Sequence, residues 1–404
     1  MIVGVEGSPT KLKSMKVLHV IPAVSPKYGG PSEALVPMCK ALLKRGIDVQ
    51  IASTDAEPGG RISVELGTPT SYKGVPGIFF KKQGRGSFTY SLPLARWLSK
   101  NVSRFHVVHI HGVFSHVCLA AARGCQRQGV PYLLRPLGHI ESWSLAQKPL
   151  RKRVFLRTGG TSMLRKAAAL HYVSLKEQEL SESALKLNHG VVIPLGIDLQ
   201  TPNFIPRGNG HAADDRRPYV LVLSRLRPAK GIDVLLEAFL AVREDKRFAD
   251  WQLMIAGDGS PQYEDSLKKI IKQKNAGDAV RLTGWLEGDA KSRALAGASL
   301  MALPSHHDAF GLCVIEAMAH GIPVLVGTEV GLAEEIIVGG AGWASEVKLS
   351  ALSETLASIL GDDDERRGRG MAGRGLARKF DWQHVAEMLV RLYESMQTHD
   401  QRNA

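Results

Sequence analysis

Two cations stand close together in the stretch SRLRPAKG: Arg225 and Lys230, on either side of a proline-containing turn that leads into a helical pattern. Arginine can grip a phosphate bidentately and lysine acts as a point charge, so such a pair at a helix start forms a clamp for a diphosphate. A second stretch, Pro304 to Ile336, carries two acids, Asp308 and Glu316. Between them Phe310-Gly311-Leu312 opens a helical pattern, whose unpaired N–H groups and positive dipole end suit a phosphate. The glycine lets backbone come close to a ligand. A carboxylate beside that seat can accept bonds from sugar or ribose hydroxyls, and the two stretches together point to a nucleotide-sugar site. Taken alone, SRLRPAKG could be only a solvated basic loop.

The first half of the chain offers three further candidates. Gly29-Gly30 follows the first strand pattern, where missing side chains would let a substrate lie against backbone amides, although a plain turn needs the same residues. His111 follows the apolar strand Val107–Ile110, and His109 is expected on the other face of that strand by side-chain alternation. A satisfied histidine at a strand end is the plainer reading of His111 by itself. Arg135-Pro136-Leu137-Gly138-His139 also ends a strand and should face the same cleft, which makes Arg135 and His139 acceptor-side candidates together with Gly29.

Strand and helix patterns alternate from Met15 to the end, which predicts α/β architecture: two doubly wound, parallel-sheet, Rossmann-like domains facing a cleft. In such sheets ligands bind beyond the carboxyl ends of the strands, where all these candidates lie. Expected boundaries are a disordered leader over 1–14, an acceptor-side domain over 15–198, and a linker over 199–217, rich in Pro, Gly and Asp. A donor domain over 218–380 follows, and a final helix over 381–404 is expected to pack back on the first domain. Leu300–Leu303, the helix through Ala319 and Pro323–Val326 should form a strand–loop–helix–strand unit around Asp308.

Charge is distributed unevenly. The net charge is +13, yet residues 1–198 carry 27 Lys and Arg against 11 Asp and Glu, while residues 199–404 carry 25 against 28. A basic first half suggests an anionic membrane surface, an anionic acceptor or nucleic acid as a partner. Lys148 to Lys166 reads as one basic amphipathic helix with Val154, Phe155, Leu156 and Leu164 on its apolar side, suited to anionic headgroups. No basic sheet studded with aromatics and no recognition-helix signature accompanies it, so nucleic acid is not expected. No apolar run reaches the roughly 18–20 residues of a spanning helix. Cys39, Cys118, Cys125 and Cys313 lack metal-type spacing and read as reduced core thiols of a cytoplasmic protein, with attachment to the inner membrane face as a peripheral option.

The second half resembles the donor domain of the retaining, GT-B-fold glycosyltransferases grouped as glycosyl transferases group 1, through SRLRPAKGID, MIAGDGSP, RLTGW and the Pro304–Ile336 stretch in that order. The first half resembles the family's acceptor domain through its GG loop, HIHG and VIPLGID, and YGGPSEAL and RPLGHIESWSLAQKPLRK resemble members that build surface polysaccharides. The resemblance implies that Arg225 and Lys230 hold the donor diphosphate, that amides around Phe310, Gly311 and Leu312 touch phosphate or sugar, and that Glu316 binds ribose hydroxyls. His111 would approach the transferred sugar, and Gly30 would let acceptor and donor phosphate meet. Asp308 stands where the family usually has the first Glu of a paired-acid motif, and Leu195 replaces a usual Asn.

The implied activity is transfer of a sugar, with retention, from a UDP-, GDP- or ADP-sugar to an acceptor hydroxyl, in polysaccharide or glycolipid assembly, on a saccharide or lipid-linked acceptor. No acidic DxD-type cluster stands at a strand end, so no metal and no further cofactor is expected. The rival readings are a nucleotide-sugar epimerase of the same fold and a non-catalytic membrane- or nucleic-acid-binding protein. The first is disfavoured by the paired-acid loop with SRLRPAKG, the second by the presence of Arg225, Lys230 and Glu316 together.

Overall fold

The computed structural model describes residues 15–84, 86, 88–199 and 217–402. The leader over 1–14 lies outside these residues, as does nearly all of the linker.

The first domain is built on β1 (Lys16–Ala23), β2 (Asp48–Thr54), a small hairpin of β3 (Ala56–Glu57) and β4 (Gly60–Arg61), β5 (Pro69–Tyr72), β6 (Val75–Phe80), β7 (Val107–His111), β8 (Tyr132–Arg135), β9 (Ala169–Tyr172) and β10 (Gly190–Val192). Its main sheet runs β10-β9-β8-β7-β1-β2-β6-β5, parallel except for the β5–β6 edge hairpin. The second sheet comprises β11 (Tyr219–Leu223), β12 (Gln252–Ala256), β13 (Val280–Gly284), β14 (Leu300–Leu303), β15 (Val324–Gly327) and β16 (Gly342–Ser345), in the order β13-β12-β11-β14-β15-β16, all parallel. Helices cover both faces, so the central strands are buried throughout; Val107–His111, Tyr219–Leu223 and Leu300–Leu303 show no exposed residue.

The chain crosses between the sheets at Gly196-Ile197, where Ile197 N–H donates to Phe380 O at 2.7 Å and Trp382 N–H donates to Ile197 O at 3.1 Å. The final helix, Trp382–Arg402, starts at that crossing and packs against the first helix, Gly30–Lys44. Its Tyr393 is fully buried, and the hydroxyl lies 2.8 Å from Nδ1 of His109 in the first sheet. The last helix of the chain thus completes the core of the first domain.

The segment 148–166 is not one helix. It is two short helices, Pro149–Phe155 and Thr161–Arg165, joined by a wide turn over Leu156–Gly160. Thr158-Gly159-Gly160 causes the break: Gly159 takes φ 133°, and a Cβ at Gly160 would lie 2.7 Å from the Phe155 ring. The apolar residues divide accordingly. Phe155 and Leu164 enter the core, while Leu150 and Val154 are 74% and 53% exposed.

Candidate active site

A cavity of about 260 Å³ lies between the domains, at the carboxyl ends of both sheets. Gly29, Gly30 and Arg135 face it from the first domain; Arg225, Lys230, Asp308, Phe310, Gly311, Leu312 and Glu316 face it from the second. Sequence-distant candidates therefore converge on one site. His111 and His139 are not in its wall.

The wall contributed by the second domain is stitched from two loops. Gly231 takes φ 60° and ends the Pro228–Lys230 turn, and a side chain there would collide with Pro304 O. The close approach lets His306 N–H donate to Ala229 O at 2.9 Å and Ser305 Oγ–H to the same oxygen at 3.3 Å. Lys230 is thereby set against Asp308, and their ammonium and carboxylate pair. Asp308 also accepts from Phe310 N–H at 3.1 Å. Burial alone would raise the Asp308 carboxyl, but the Lys230 charge and hydrogen bond outweigh it and hold it below the usual range. Gly311, at φ 87°, opens the helix Leu312–Ala319 without a side-chain cap. Arg225 packs directly over Gly29, and burial lowers its guanidinium to about 10, so it stays cationic at neutral pH.

A loop of the first domain crosses the cleft. Glu141 lies 3.2 Å from Nδ1 of His307, and the Trp143 ring stacks on His307 at 4.9 Å. Burial, then the neighbouring Glu177 and Asp308, push the Glu141 carboxyl up to about 8, while burial lowers His307. At neutral pH the contact is a hydrogen bond between neutral groups. Ser174 Oγ–H donates to Ala309 O at 2.9 Å and Lys176 Nζ to Thr328 O at 2.7 Å, closing the same side. His139 is exposed beside the loop, where its Nδ1 accepts from Val113 N–H at 3.4 Å.

His111 is 1% exposed and sits behind Arg135, its register partner on β8. His109 is not on the opposite face. Positions two apart share a face of a strand, and the two rings stack at 4.2 Å. With His19 and His171 they form two hydrogen-bonded chains. His171 Nε2–H donates to Ile193 O at 2.8 Å, so its Nδ1 accepts from His109 Nε2–H at 3.2 Å, and His109 Nδ1 accepts from the Tyr393 hydroxyl. In the other chain Arg135 Nη1 approaches His111 Nδ1 at 3.5 Å, and His111 Nε2–H donates to His19 Nδ1 at 3.0 Å. Nitrogens of His19, His109 and His111 lie within 4.8 Å of one another. Their acceptor nitrogens are already engaged, His19 Nδ1 by His111, His111 Nδ1 by Arg135 and His109 Nδ1 by Tyr393, and the adjoining Arg135 guanidinium opposes a metal cation there.

Burial, then Arg135, lowers His19 and His171 to about 3. An unfolded histidine titrates near about 6.5, so acid protonates the unfolded chain first. The stability these groups contribute is present above about pH 6.5 and drains away as pH falls toward 3. Thermal melting should show a Tm that drops steadily below about pH 6; a flat profile to about pH 4.5 would contradict the neutral cluster.

The sequence reading overlooked Lys291, Glu33, Glu141 and His307. Lys291 Nζ lies 2.6 Å from Glu316 Oε1 and 2.9 Å from Glu33 Oε1. Nothing local announces that contact, since Glu33 and Lys291 come from different domains; His307 beside Asp308 was a visible signal.

Residues 208–375 match the family described as Glycosyl transferases group 1, and residues 29–196 match the Glycosyl transferase 4-like domain. Two paired parallel sheets with a cavity between them and these two domain matches make this a GT-B-fold glycosyltransferase, one that uses a nucleotide-sugar donor. The second half of the chain thus carries a glycosyl transferases group 1 domain and the first half a glycosyl transferase 4-like domain. Over 394 residues the chain is 26% identical to a GDP-mannose:cellobiosyl-diphosphopolyprenol alpha-mannosyltransferase of Xanthomonas oryzae pv. oryzae, covering 94% of this chain and 96% of that one. A D-inositol 3-phosphate glycosyltransferase of Nocardia farcinica is 23% identical over 419 residues, 97% of this chain and 90% of the other. In fold it is similar to sucrose-phosphate synthase of Thermosynechococcus elongatus, with TM-score 0.75 and 20% identity over 95% of this chain and all of that one.

Proposed function

We propose that the protein transfers a sugar with retention from a nucleoside diphosphate sugar to a lipid-linked acceptor, with no metal and no further cofactor. The observation that carries this reading is the cationic end of the cleft cavity, where Arg225, Lys230 and the uncapped helix start at Gly311 share one wall. They would bind the donor diphosphate and meet the charge that develops as it departs. Asp308 is engaged by Lys230, which leaves it poorly placed as an enzyme nucleophile. A front-side route needs none: the acceptor hydroxyl attacks the anomeric carbon on the face the diphosphate leaves, and its proton passes to the leaving phosphate oxygen. Glu316 would receive the ribose hydroxyls, and Arg135 and the Gly138 loop would face the acceptor. The cross-cleft contacts of Glu141, Ser174 and Lys176 would keep water from the donor.

A thermal-shift comparison of UDP, GDP and ADP tests the donor half of this reading. One of them should raise the Tm, because a ligand that binds only the folded state stabilises it. No rise with any at concentrations near 1 mM, which is about 100-fold above a roughly 10 μM Kd, would overturn it.

The acceptor half rests on the exposed apolar Leu150 and Val154 of the helix Pro149–Phe155, with exposed Phe88 against its Phe155, and on exposed Lys148, Arg151, Arg153 and Arg157 in the same segment. Apolar anchors inside a basic surface suit the interface of an anionic membrane. The diphosphopolyprenol in the Xanthomonas relative's name supports a lipid-linked acceptor presented there. No described helix is long and apolar enough to cross a membrane. Binding to phosphatidylglycerol vesicles should weaken with salt and be lost in Leu150→Glu/Val154→Glu; equal binding to neutral vesicles would count against it.

A further inference from the structure

Lys291 belongs to the helix Gly288–Gly297 of the second domain, yet it contacts both domains. Its ammonium is 2.6 Å from Glu316 on the helix Leu312–Ala319 and 2.9 Å from Glu33 on the first domain's helix Gly30–Lys44. The lysine and Glu316 side chains are 17% and 21% exposed and that of Glu33 is 35% exposed, so the Lys291–Glu316 pair is largely withdrawn from water with Glu33 at its rim. It forms the partition between the cleft cavity and a second one of about 230 Å³ behind it, lined by Asp198, His320 and Trp382 among others.

We propose that Lys291 is a positioning residue for the donor: it fixes Glu316 as an aimed carboxylate for the ribose hydroxyls and, through Glu33, ties that site to closure of the two domains. The proposal rests on the donor-site reading above. Its physical basis is the charge count. Two carboxylates share one buried ammonium, and without it the more buried of them, Glu316, would face Glu33 with no counter-charge to keep it ionised. Only an ionised carboxylate presents acceptors on both oxygens; a protonated one spends part of that capacity on its own O–H. Burial and the facing Glu33 push Glu316 upward, and Lys291 opposes both. The other groups near Glu316 are Cys313 and His320, at the two ends of its own helix. Arg225 and Lys230 serve the diphosphate end, so Lys291 is the cation for the ribose end.

Calorimetric titration of the full-length protein with GDP and with UDP, at about pH 6 and about pH 8.5, tests the charge role. Wild type should bind one of them with an affinity that changes about 2-fold or less between the two conditions. Lys291→Met should bind about 10-fold more weakly at the lower pH and recover most of that loss at the higher, as expected for a carboxylate that is largely protonated at the lower pH once the opposing lysine charge is gone. Adding Glu33→Ala to Lys291→Met removes the competing carboxylate and should restore part of the affinity at the lower pH. Equal weakening at both pH values, or none, overturns the charge role, whereas failure of wild type to bind either nucleotide overturns the donor-site reading itself. The closure role is read separately. Glu33→Ala keeps Lys291 on Glu316, so nucleotide affinity should hold within about 2-fold while small-angle scattering shows a larger radius of gyration. An unchanged radius overturns that half, even if Lys291→Met fails to fold.

Discussion

Lys230→Ala should lower kcat/KM by about 10²–10³, the loss typical when one preorganised donor to a developing oxyanion is removed, or about 3–4 kcal/mol of transition-state stabilisation. The structure adds a second consequence. Lys230 is the ion-pair partner of Asp308, whose side chain is 21% exposed. Removing the lysine leaves a mostly buried carboxylate without its counter-ion, which costs about 1–3 kcal/mol at this degree of burial. The two effects separate in Lys230→Ala/Asp308→Asn. That double variant should regain the lost Tm, because the uncompensated charge is gone, and should remain as slow as the single variant, because the cation for the diphosphate is still missing. The Asp308 carboxyl, held low by Lys230, should titrate higher in Lys230→Ala, so the Tm deficit of that variant against wild type at the same pH should shrink as pH falls through the raised value. Steady-state kinetics with varied donor and melting curves of the three proteins decide the matter. A Lys230→Ala enzyme within 2-fold of wild type would remove Lys230 from the donor site.

What could be read from sequence was the part that local rules govern. The Pro304–Ile336 stretch folds as the strand Leu300–Leu303, the helix Leu312–Ala319 and the strand Val324–Gly327 because its apolar runs, Gly311 and Gly321 act within a few residues of themselves. SRLRPAKG was equally plain, since a Pro–Gly-bounded turn before a helix needs no distant partner. Contacts set by register or by domain packing were not accessible in this way. The pairings of His19 with His109 and of His111 with Arg135 depend on strand order, and Tyr393 reaches His109 only because the last helix returns to the first domain. The face of His109 was a different matter: the two-residue spacing already held the answer. So was the break in the 148–166 helix, where two adjacent glycines marked a site that helical periodicity alone passed over. The candidate site was thus visible as a set of residue types, whereas the pairing that tunes it, Lys230 with Asp308 and Lys291 with Glu33 and Glu316, emerged only from the packed domains.

Gly29→Ala should lower kcat/KM for the donor about 10–100-fold, for a reason that assigns Gly29 to the donor as well as to the acceptor side. Gly29 takes φ 97°, ψ −166°, a region in which essentially only glycine is comfortable, so any side chain there costs about 1–3 kcal/mol in backbone strain. A Cβ would also sit 2.7 Å from Arg225 Nε and 3.0 Å from its Cζ. Backbone strain would appear as a lower Tm; displacement of the guanidinium would appear as weaker donor binding and slower transfer, since a shift of about 1 Å in a positioning group can cost about 100-fold. Gly30 supplies the stability control. It is the first residue of the helix Gly30–Lys44, and the nearest atom to an added Cβ is Leu312 Cβ at 4.0 Å, so Gly30→Ala should melt with the wild type. Adjacent glycines therefore have different physical duties. Gly29 makes room for Arg225 against the wall of the other domain, which is why its substitution should be felt in donor kinetics although it lies on the acceptor domain. If Gly29→Ala melts several degrees lower but keeps its donor KM and kcat, Arg225 has given way without consequence, and the packing of Arg225 over Gly29 is structural support with no part in holding the diphosphate.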